Sequence, residues 1–146
     1  AKGRAGHGLN SVALPSGDIL ITGGGASGAD LTMAQPLIEA EIYRAATGTW
    51  QSIPNMASKR LGHSTTLLKN GSVLIAGGAI GTVSMPQAID GVQLYQPSSN
   101  TWRSLPNLAQ ARAGHTAYES PTGTVVLFGG QSSTSATIKT VEQISF

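Results

Sequence analysis

Three short apolar runs stand out along the chain, and each is bounded by turn-forming residues before it and a pair of glycines after it. The runs are Ile19–Thr22, Val73–Ala76 and Val125–Phe128. A continuous apolar run of this length between turns predicts a β-strand that is buried on both faces. The preceding turns carry Gly, which accepts positive φ without a steric penalty, so each run is predicted to close a hairpin.

The segments around these runs predict the other strands of the same units. A first strand precedes each turn, a third strand ends at a Tyr, and a fourth strand begins at a Trp. The predicted first strands include 64–68 and 116–118, the third strands are 40–43, 92–95 and 140–145, and the fourth strands are 50–53 and 102–105. The last unit has no Trp and no predicted fourth strand, which makes eleven strands where three full units have twelve.

The same spacings recur along the chain. Three Arg-x-Gly-His segments begin at Arg4, Arg60 and Arg112, and their histidines, His7, His63 and His115, are 56 and 52 residues apart. The glycine pairs follow at Gly23-Gly24, Gly77-Gly78 and Gly129-Gly130, while Tyr43 and Tyr95, like Trp50 and Trp102, are 52 residues apart. A fixed period near 50 residues with matched internal spacings predicts one supersecondary unit repeated in an array.

The set Arg-x-Gly-His, apolar run, Gly-Gly, Tyr and Thr-Trp resembles the kelch repeat over essentially the whole chain. The resemblance implies an all-β chain, a β-propeller in which each repeat makes one blade of four antiparallel strands. The expected blades cover about 4–58, 59–110 and 111–146 of one domain, 1–146, and the third lacks its fourth strand. Kelch propellers generally have six or seven blades, and this chain has fewer than three complete ones.

Three blades cannot close a ring, because propellers close with about four to eight blades. An open array leaves an apolar face at each end, and repeats do not bury such faces alone. We therefore expect a homo-oligomer in which two chains form one six-bladed ring. The alternative is that the missing blades belong to a longer chain, and the absence of an initiator Met fits a fragment or a processed product.

Arg4, Arg60 and Arg112 enter their repeats at the same place, just before the predicted innermost strand. Inward-facing arginines would form an electropositive pocket for carboxylates or sulfates, and arginines of some kelch propellers bind acidic ligands at this place. The other interpretation, which we favour, is that each Arg links neighbouring blades through backbone carbonyls.

His7, His63 and His115 are expected to make structural hydrogen bonds between blades. A metal site would require all three rings to converge at about 2 Å from one ion, and blades spread around a ring do not provide that. We therefore predict no metal site and no cofactor.

The aromatic residues Tyr43, Tyr95, Trp50 and Trp102 are interpreted as packing residues between blades, with a platform for stacking a sugar as the alternative. The glycine pairs are expected to allow a tight bend and close packing. They do not form a phosphate loop, because no Gly-Lys-Ser/Thr follows them. Glu41 and Glu142 fall in third strands, where pairing with a nearby Arg or Lys is expected.

The long loops 25–39 and 79–91 are predicted to emerge on one face of the ring and to make the contacts with a ligand. They carry Asp30 and Asp90, which are candidate ligand-binding residues, although solvated loop acids are the simpler interpretation.

Composition narrows the functional classes. Charged residues make up 11% of the 146 residues and the net charge is +2 without clustering, so no nucleic-acid face is expected. No apolar run reaches the length of about 18 residues that a membrane helix needs, and the compartment stays open. There is no Cys, which argues against the copper-radical oxidases among kelch-like propellers because they need a Cys cross-linked to a Tyr.

The predicted function is therefore a binding or scaffold module that holds a protein, peptide or glycan on its loop face. Two alternatives stay open. One is a fragment or engineered half-propeller without independent function. The other is a sugar-acting enzyme that resembles the sialic-acid mutarotases, with Arg4, Arg60, Arg112 and Glu119 as candidate residues.

Overall fold

The computed structural model describes residues 3–4, 10–26, 34–82 and 84–145. Two predicted site residues, His7 and Asp30, lie outside the described residues. All regular structure in the described part of the chain is β-structure, arranged in antiparallel sheets without a helix.

Sheet 1 contains four strands in the spatial order β1-β2-β5-β6. The strands are β1 (Ser11–Ala13), β2 (Ile19–Thr22), β5 (Ala40–Arg44) and β6 (Thr49–Ile53). The chain leaves β2 through a two-stranded ribbon, the first ribbon, which consists of β3 (Gly25–Ala26) and β4 (Gln35–Pro36).

Sheet 2 repeats this order as β7-β8-β11-β12. Its strands are β7 (Ser64–Leu67), β8 (Val73–Ala76), β11 (Val92–Gln96) and β12 (Thr101–Leu105), and the second ribbon consists of β9 (Ala79–Gly81) and β10 (Pro86–Ala88). Sheet 3 has three described strands in the order β13-β14-β15, which are β13 (Thr116–Glu119), β14 (Val125–Phe128) and β15 (Val141–Ile144).

The predicted loops 25–39 and 79–91 are thus partly strand, since each contains a ribbon. The ribbons are short, and their sequences include Gly and Pro, which are depleted in strands. In the third repeat the corresponding segment forms only the isolated bridge Gln131↔Thr137.

The three sheets follow one another in space as they do in sequence. The first strand of sheet 2 contacts the first strands of both neighbouring sheets, β1 on one side and β13 on the other. Side chains from Leu20 and Ile42 of sheet 1 pack with Val73 and Tyr95 of sheet 2 in one core cluster. A second cluster joins sheets 2 and 3 through Leu74, Leu94, Val125 and Leu127.

Sheet 2 is therefore covered on both faces, and all four residues of β8 are buried. In the part of the chain that the structure describes, no sheet covers the outward faces of sheets 1 and 3. On them Trp50 is 41% exposed, Phe128 48% and Tyr118 64%. None of the described sheets closes on itself.

Candidate functional site

The Arg-x-Gly-His segments that begin at Arg60 and Arg112 lie where neighbouring sheets meet, and of the first segment the structure describes Arg4 alone. Each Arg side chain donates a hydrogen bond to the first glycine of the pair in its own repeat. The Nη1 atom of Arg60 donates to the carbonyls of Gly77, at 3.0 Å, and Gly91, at 2.9 Å. The corresponding bonds of the other repeats run from Arg4 to Gly23 and from Arg112 to Gly129.

A residue of the third strand faces each guanidinium group. The carboxylates of Glu41 and Glu142 form ion pairs with Arg4 and Arg112, respectively. In the second repeat this place is taken by Gln93, whose Oε1 lies 3.5 Å from Nη2 of Arg60. Burial lowers the pKa of Arg60 to about 10. The middle guanidinium is therefore a buried charge whose neighbour at this place is an amide instead of a carboxylate.

The burial of Arg60 and Arg112 limits which groups can contact their guanidinium groups. Arg60 is 1% exposed and Arg112 is 0% exposed, and their amino groups already donate to carbonyls and side chains. These side-chain bonds stay within the repeat of each Arg, whereas the contacts with the preceding repeat are made by the backbone carbonyls of Arg60 and Arg112. The burial of these two residues fits a structural function, and ligand binding by the arginines stays a prediction.

The backbone of the second and third segments forms another set of contacts, which crosses to the preceding repeat. The amide of Gly24 donates to the carbonyl of Arg60 at 3.1 Å, and the amide of Gly78 donates to that of Arg112 at 2.8 Å. Gly114 also donates to the carbonyl of Gly62 at 2.8 Å, which links consecutive segments directly. The close approach requires glycine, because a Cβ on Gly77 (φ +60°) would lie 2.5 Å from the Arg112 carbonyl.

His63 and His115 each add a side-chain contact between neighbouring sheets. The Nε2 atom of His63 lies 2.8 Å from Oγ1 of Thr22 in sheet 1, and Nε2 of His115 lies 3.0 Å from Oγ of Ser64 in sheet 2. Both rings rest on the first glycine of the preceding repeat. Because the Thr22 hydroxyl can donate to the carbonyl of Asn10 at 3.3 Å, its oxygen can accept a hydrogen bond from a neutral His63 that carries hydrogen on Nε2.

The surroundings keep both rings neutral. Burial holds the pKa of His63 well below its usual 6.5. The charge of Arg60, and that of His115 when it is protonated, act in the same direction. Burial and the charge of Arg112 lower the pKa of His115 to about 4, although Glu142 acts in the opposite direction. Among the described residues no group of three or more His, Cys, Asp or Glu side chains could hold a metal ion.

No protein-family model matches the chain. A kelch domain-containing protein of Sulfurisphaera tokodaii is 30% identical over 83 residues, which is 57% of this chain. Over these residues the chain is similar to a kelch domain-containing protein, which fits the kelch resemblance of its sequence. The matched segment covers 11% of that relative's length, so the relative is a much longer protein.

The aromatic residues of the kelch-like repeats pack in pairs on the sheets. The rings of Tyr95 and Trp102 are 4.8 Å apart, and those of Tyr43 and Trp50 are 5.2 Å apart. Trp102 also donates from Nε1 to the carbonyl of Pro54 at 2.8 Å, so it links sheet 2 to the segment that follows sheet 1. Tyr95 is buried and donates its hydroxyl hydrogen to Asn100, whereas Trp50 is half-exposed on the outward face of sheet 1.

The ribbon face, defined as the end of the strands that bears both ribbons, carries a groove of about 210 Å³. The groove lies between the second ribbon and the third Arg-x-Gly-His segment. Its walls include Ala79, Pro86, Ala88, Ala113 and Gln131. Asp90 is half-buried just after the second ribbon, and it does not line this groove.

The predicted pairing of Glu41 and Glu142 with a nearby Arg is confirmed. Sequence reasoning missed Gln93, which faces Arg60 in the second repeat, although all three residues occupy the same place in the third strand. It also missed the hydroxyls of Thr22 and Ser64, which meet the histidines.

In the described ranges of the chain, no helix is long and apolar enough to span a membrane.

Proposed function

We propose that this kelch-like chain forms three blades of a β-propeller and acts as an interaction module that binds a partner protein through its ribbon face. The observation that carries this proposal is the groove beside the second ribbon. The groove is a concave feature of the ribbon face, and its walls include Leu61, Ala79, Ala88 and Ala113.

The ribbons make this face a rigid platform. The second ribbon contacts the first through β9 and β4. On its other side, the amide of Ala88 donates to Oγ of Ser133 in the third repeat at 2.9 Å. The backbones of Leu61 and Ala79 exchange two hydrogen bonds, of 3.0 and 2.8 Å, and those of Ala113 and Gln131 do the same. A platform held from both sides favours binding of a partner with little change of shape.

The chemistry of the face fits a segment of protein. Met85, at the tip of the second ribbon, is 74% exposed, and flexible Met side chains adapt to apolar partner surfaces. Gln131 and Ser132 add polar groups to a groove whose other walls are apolar. A volume of about 210 Å³ accommodates one or two side chains of a bound peptide.

Selection from a random peptide library tests the proposal. Peptides are selected on the chain, and their affinity is then measured for two variants with a bulky residue at opposite ends of the strands. Ala88→Trp fills the groove and is expected to reduce affinity at least tenfold. Ser99→Trp, in the exposed turn between β11 and β12, is the matched control and should leave the affinity unchanged. Selected peptides that bind Ala88→Trp as well as the wild type would place the binding surface elsewhere and refute the proposal.

A further inference from the structure

The interface between sheets 1 and 2 and the interface between sheets 2 and 3 pair equivalent apolar positions in the same orientation. Each sheet has a leading face, which is turned toward the next sheet along the chain, and a trailing face, which is turned toward the preceding one. Leu20 and Leu74 lie on the leading faces of sheets 1 and 2. They pack with residues of the following trailing faces, Val73 and Val125, respectively.

Two end faces carry the equivalent apolar positions but have no neighbouring sheet among the described residues. On the leading face of sheet 3, Val126 takes the place of Leu20 and Leu74, and on the trailing face of sheet 1, Ile19 takes the place of Val73 and Val125. Ile19 is 38% exposed, whereas Val73 and Val125 are both 0% exposed. Phe128, next to the glycine pair of sheet 3, is 48% exposed, whereas its counterpart Ala76 is 0% exposed. The two end faces are therefore apolar surfaces that correspond to the two halves of an interior interface.

The glycine pair of sheet 3 shows the clearest difference from its counterparts. A Cβ on Gly23 or Gly77 would meet an Arg carbonyl at 2.5 Å and a His ring at 2.9 or 2.8 Å. A Cβ on Gly129, which has nearly the same φ of +64°, would meet as its nearest group the carbonyl of Ile138 at 3.7 Å. Thr116 offers a hydroxyl at the place where Ser64 meets His115. The space beside Gly129 is therefore open at the place where a further Arg-x-Gly-His segment would pack, and we call this space the seat at Gly129.

We propose that sheet 3 of one copy packs head to tail on sheet 1 of a second copy, so that two chains make a ring of six sheets. In this contact Val126 meets Ile19, and the carbonyl of Arg4 accepts a hydrogen bond from the amide of Gly130. This inference goes beyond the ribbon-face function, because it concerns the end faces alone.

We expect the partner to be a second copy of this chain in the head-to-tail orientation. The leading face of sheet 3 complements the trailing face of sheet 1, whereas two like faces do not complement each other. The seat at Gly129 requires an Arg-x-Gly-His segment at the edge of the docking face, and the end of the chain with sheet 1 carries one, beginning at Arg4. Two leading faces brought together would present two seats and no segment to fill them. A head-to-tail contact made twice around a two-fold axis satisfies both end faces of both chains, and six sheets lie within the range at which propellers close.

The test measures solution mass by light scattering for the wild type and for two variants that place a charge on one end face each. The wild type is expected at twice the chain mass. Ile19→Lys charges the trailing face of sheet 1, and Phe128→Lys charges the leading face of sheet 3. Both residues are partly exposed in the single chain, so each variant should stay folded by circular dichroism while its mass falls to that of one chain.

Mixing the two variants distinguishes the orientation. In a head-to-tail contact, sheet 3 of the Ile19→Lys chain is intact and can pack on the intact sheet 1 of the Phe128→Lys chain. The mixture is therefore expected to contain a two-chain species with one copy of each variant, which tags of different mass identify. A contact between like faces predicts the reverse, since one variant would then pair with itself and the mixture would form no mixed species.

Trp50→Lys provides the matched control, because Trp50 lies on the same face as Ile19 and has similar exposure, 41% against 38%. Its counterpart Trp102 bonds to Pro54, which follows the fourth strand of sheet 1. Sheet 3 has three described strands, so Trp50 meets no such partner and this variant should keep the two-chain mass. A wild type with the mass of one chain, or a two-chain mass that survives both Ile19→Lys and Phe128→Lys, would overturn the proposal. Neither result would bear on peptide binding at the ribbon face.

Discussion

His63 and Thr22 belong to neighbouring sheets, and the ring nitrogen Nε2 of the first lies 2.8 Å from the hydroxyl oxygen of the second. Both residues are buried, with exposures of 1% and 0%. The same relationship joins His115 to Ser64 one repeat later. A polar contact of this kind lies beside the glycine pair in each interior interface, so the cohesion of the array depends on hydroxyl groups as well as on apolar packing.

Replacing Thr22 with Val keeps the shape of the side chain but removes the hydroxyl that meets His63. The buried Nε2–H would then have no acceptor at that place, and we expect a loss of about 1–3 kcal/mol in the free energy of unfolding. Urea unfolding followed by circular dichroism measures this loss. Thr101→Val, at an exposed position on β12, is the control and should change stability by no more than about 0.5 kcal/mol. Equal effects of the two substitutions would show that the His63 contact is not stabilising.

Stability should fall at acid pH because both described histidines are held neutral in the folded chain. The folded-state pKa of each lies below the unfolded value of 6.5, so their contribution is complete above pH 6.5 and decreases as the pH falls. The contribution of His115 is lost as the pH falls to about 4, which is its folded-state pKa. For His115 alone the loss is on the order of 3 kcal/mol between these limits. Urea unfolding at several pH values between 7 and 4 measures it.

His115→Gln is the control for the acid effect, since the amide keeps a polar group near Ser64 but does not titrate. This variant should be less stable than the wild type at pH 7 and should lose less stability on acidification. If both proteins lost stability in parallel, the acid sensitivity would have to come from other groups.

Gln93→Glu should stabilise the chain at neutral pH, because Arg60 would gain the carboxylate that Arg4 and Arg112 already have. The backbone amide of Ala57, which now donates to Oε1 of Gln93 at 3.0 Å, can donate equally to a carboxylate oxygen. A hydrogen bond to a charged group exceeds a neutral one by about 1 kcal/mol, so a rise of a few degrees in melting temperature is expected. The reciprocal change Glu142→Gln should lower it. A lower melting temperature for Gln93→Glu would contradict the assignment.

Glycine at 77 is required by a close approach, whereas glycine at 129 is required only by its backbone angle in a single chain. Gly77→Ala should cost roughly 3 kcal/mol, from strain at positive φ together with a clash against the Arg112 carbonyl. Gly129→Ala has a similar φ but no such clash, and about 1 kcal/mol is expected. Both are measured in the Phe128→Lys background, so that association does not contribute to stability. Equal costs would mean that the clash at Gly77 relaxes freely.

The repeat spacings alone predicted much of this fold. The apolar runs Ile19–Thr22, Val73–Ala76 and Val125–Phe128 are strands with the bounds that the sequence indicates, because a buried strand between a turn and a glycine pair has a strong local signal. The ribbons at 25–26 with 35–36 and at 79–81 with 86–88 were missed, since strands of two or three residues show no alternation.

The candidate site was less predictable from the sequence. The sequence left the arginines with two interpretations, a ligand pocket or a structural link. The choice between them depends on burial, which no local pattern of Arg60 or Arg112 reveals. The hydroxyl partners of the histidines were not predicted for a similar reason, because Thr22 and His63 are 41 residues apart and meet only through the packing of two sheets.

Sheet 2 differs from its neighbours in being covered on both faces, and this difference sets the order in which the chain can open. The outer sheets can separate from it one at a time, each uncovering a single interface. In the Phe128→Lys variant, which is expected to stay a single chain, the amide protons of β8 become accessible to solvent only after a neighbouring sheet has left, so they should exchange with deuterium more slowly than those of β2 or β14. The middle repeat, whose guanidinium lacks a carboxylate partner, is therefore also the one that holds the molecule together longest.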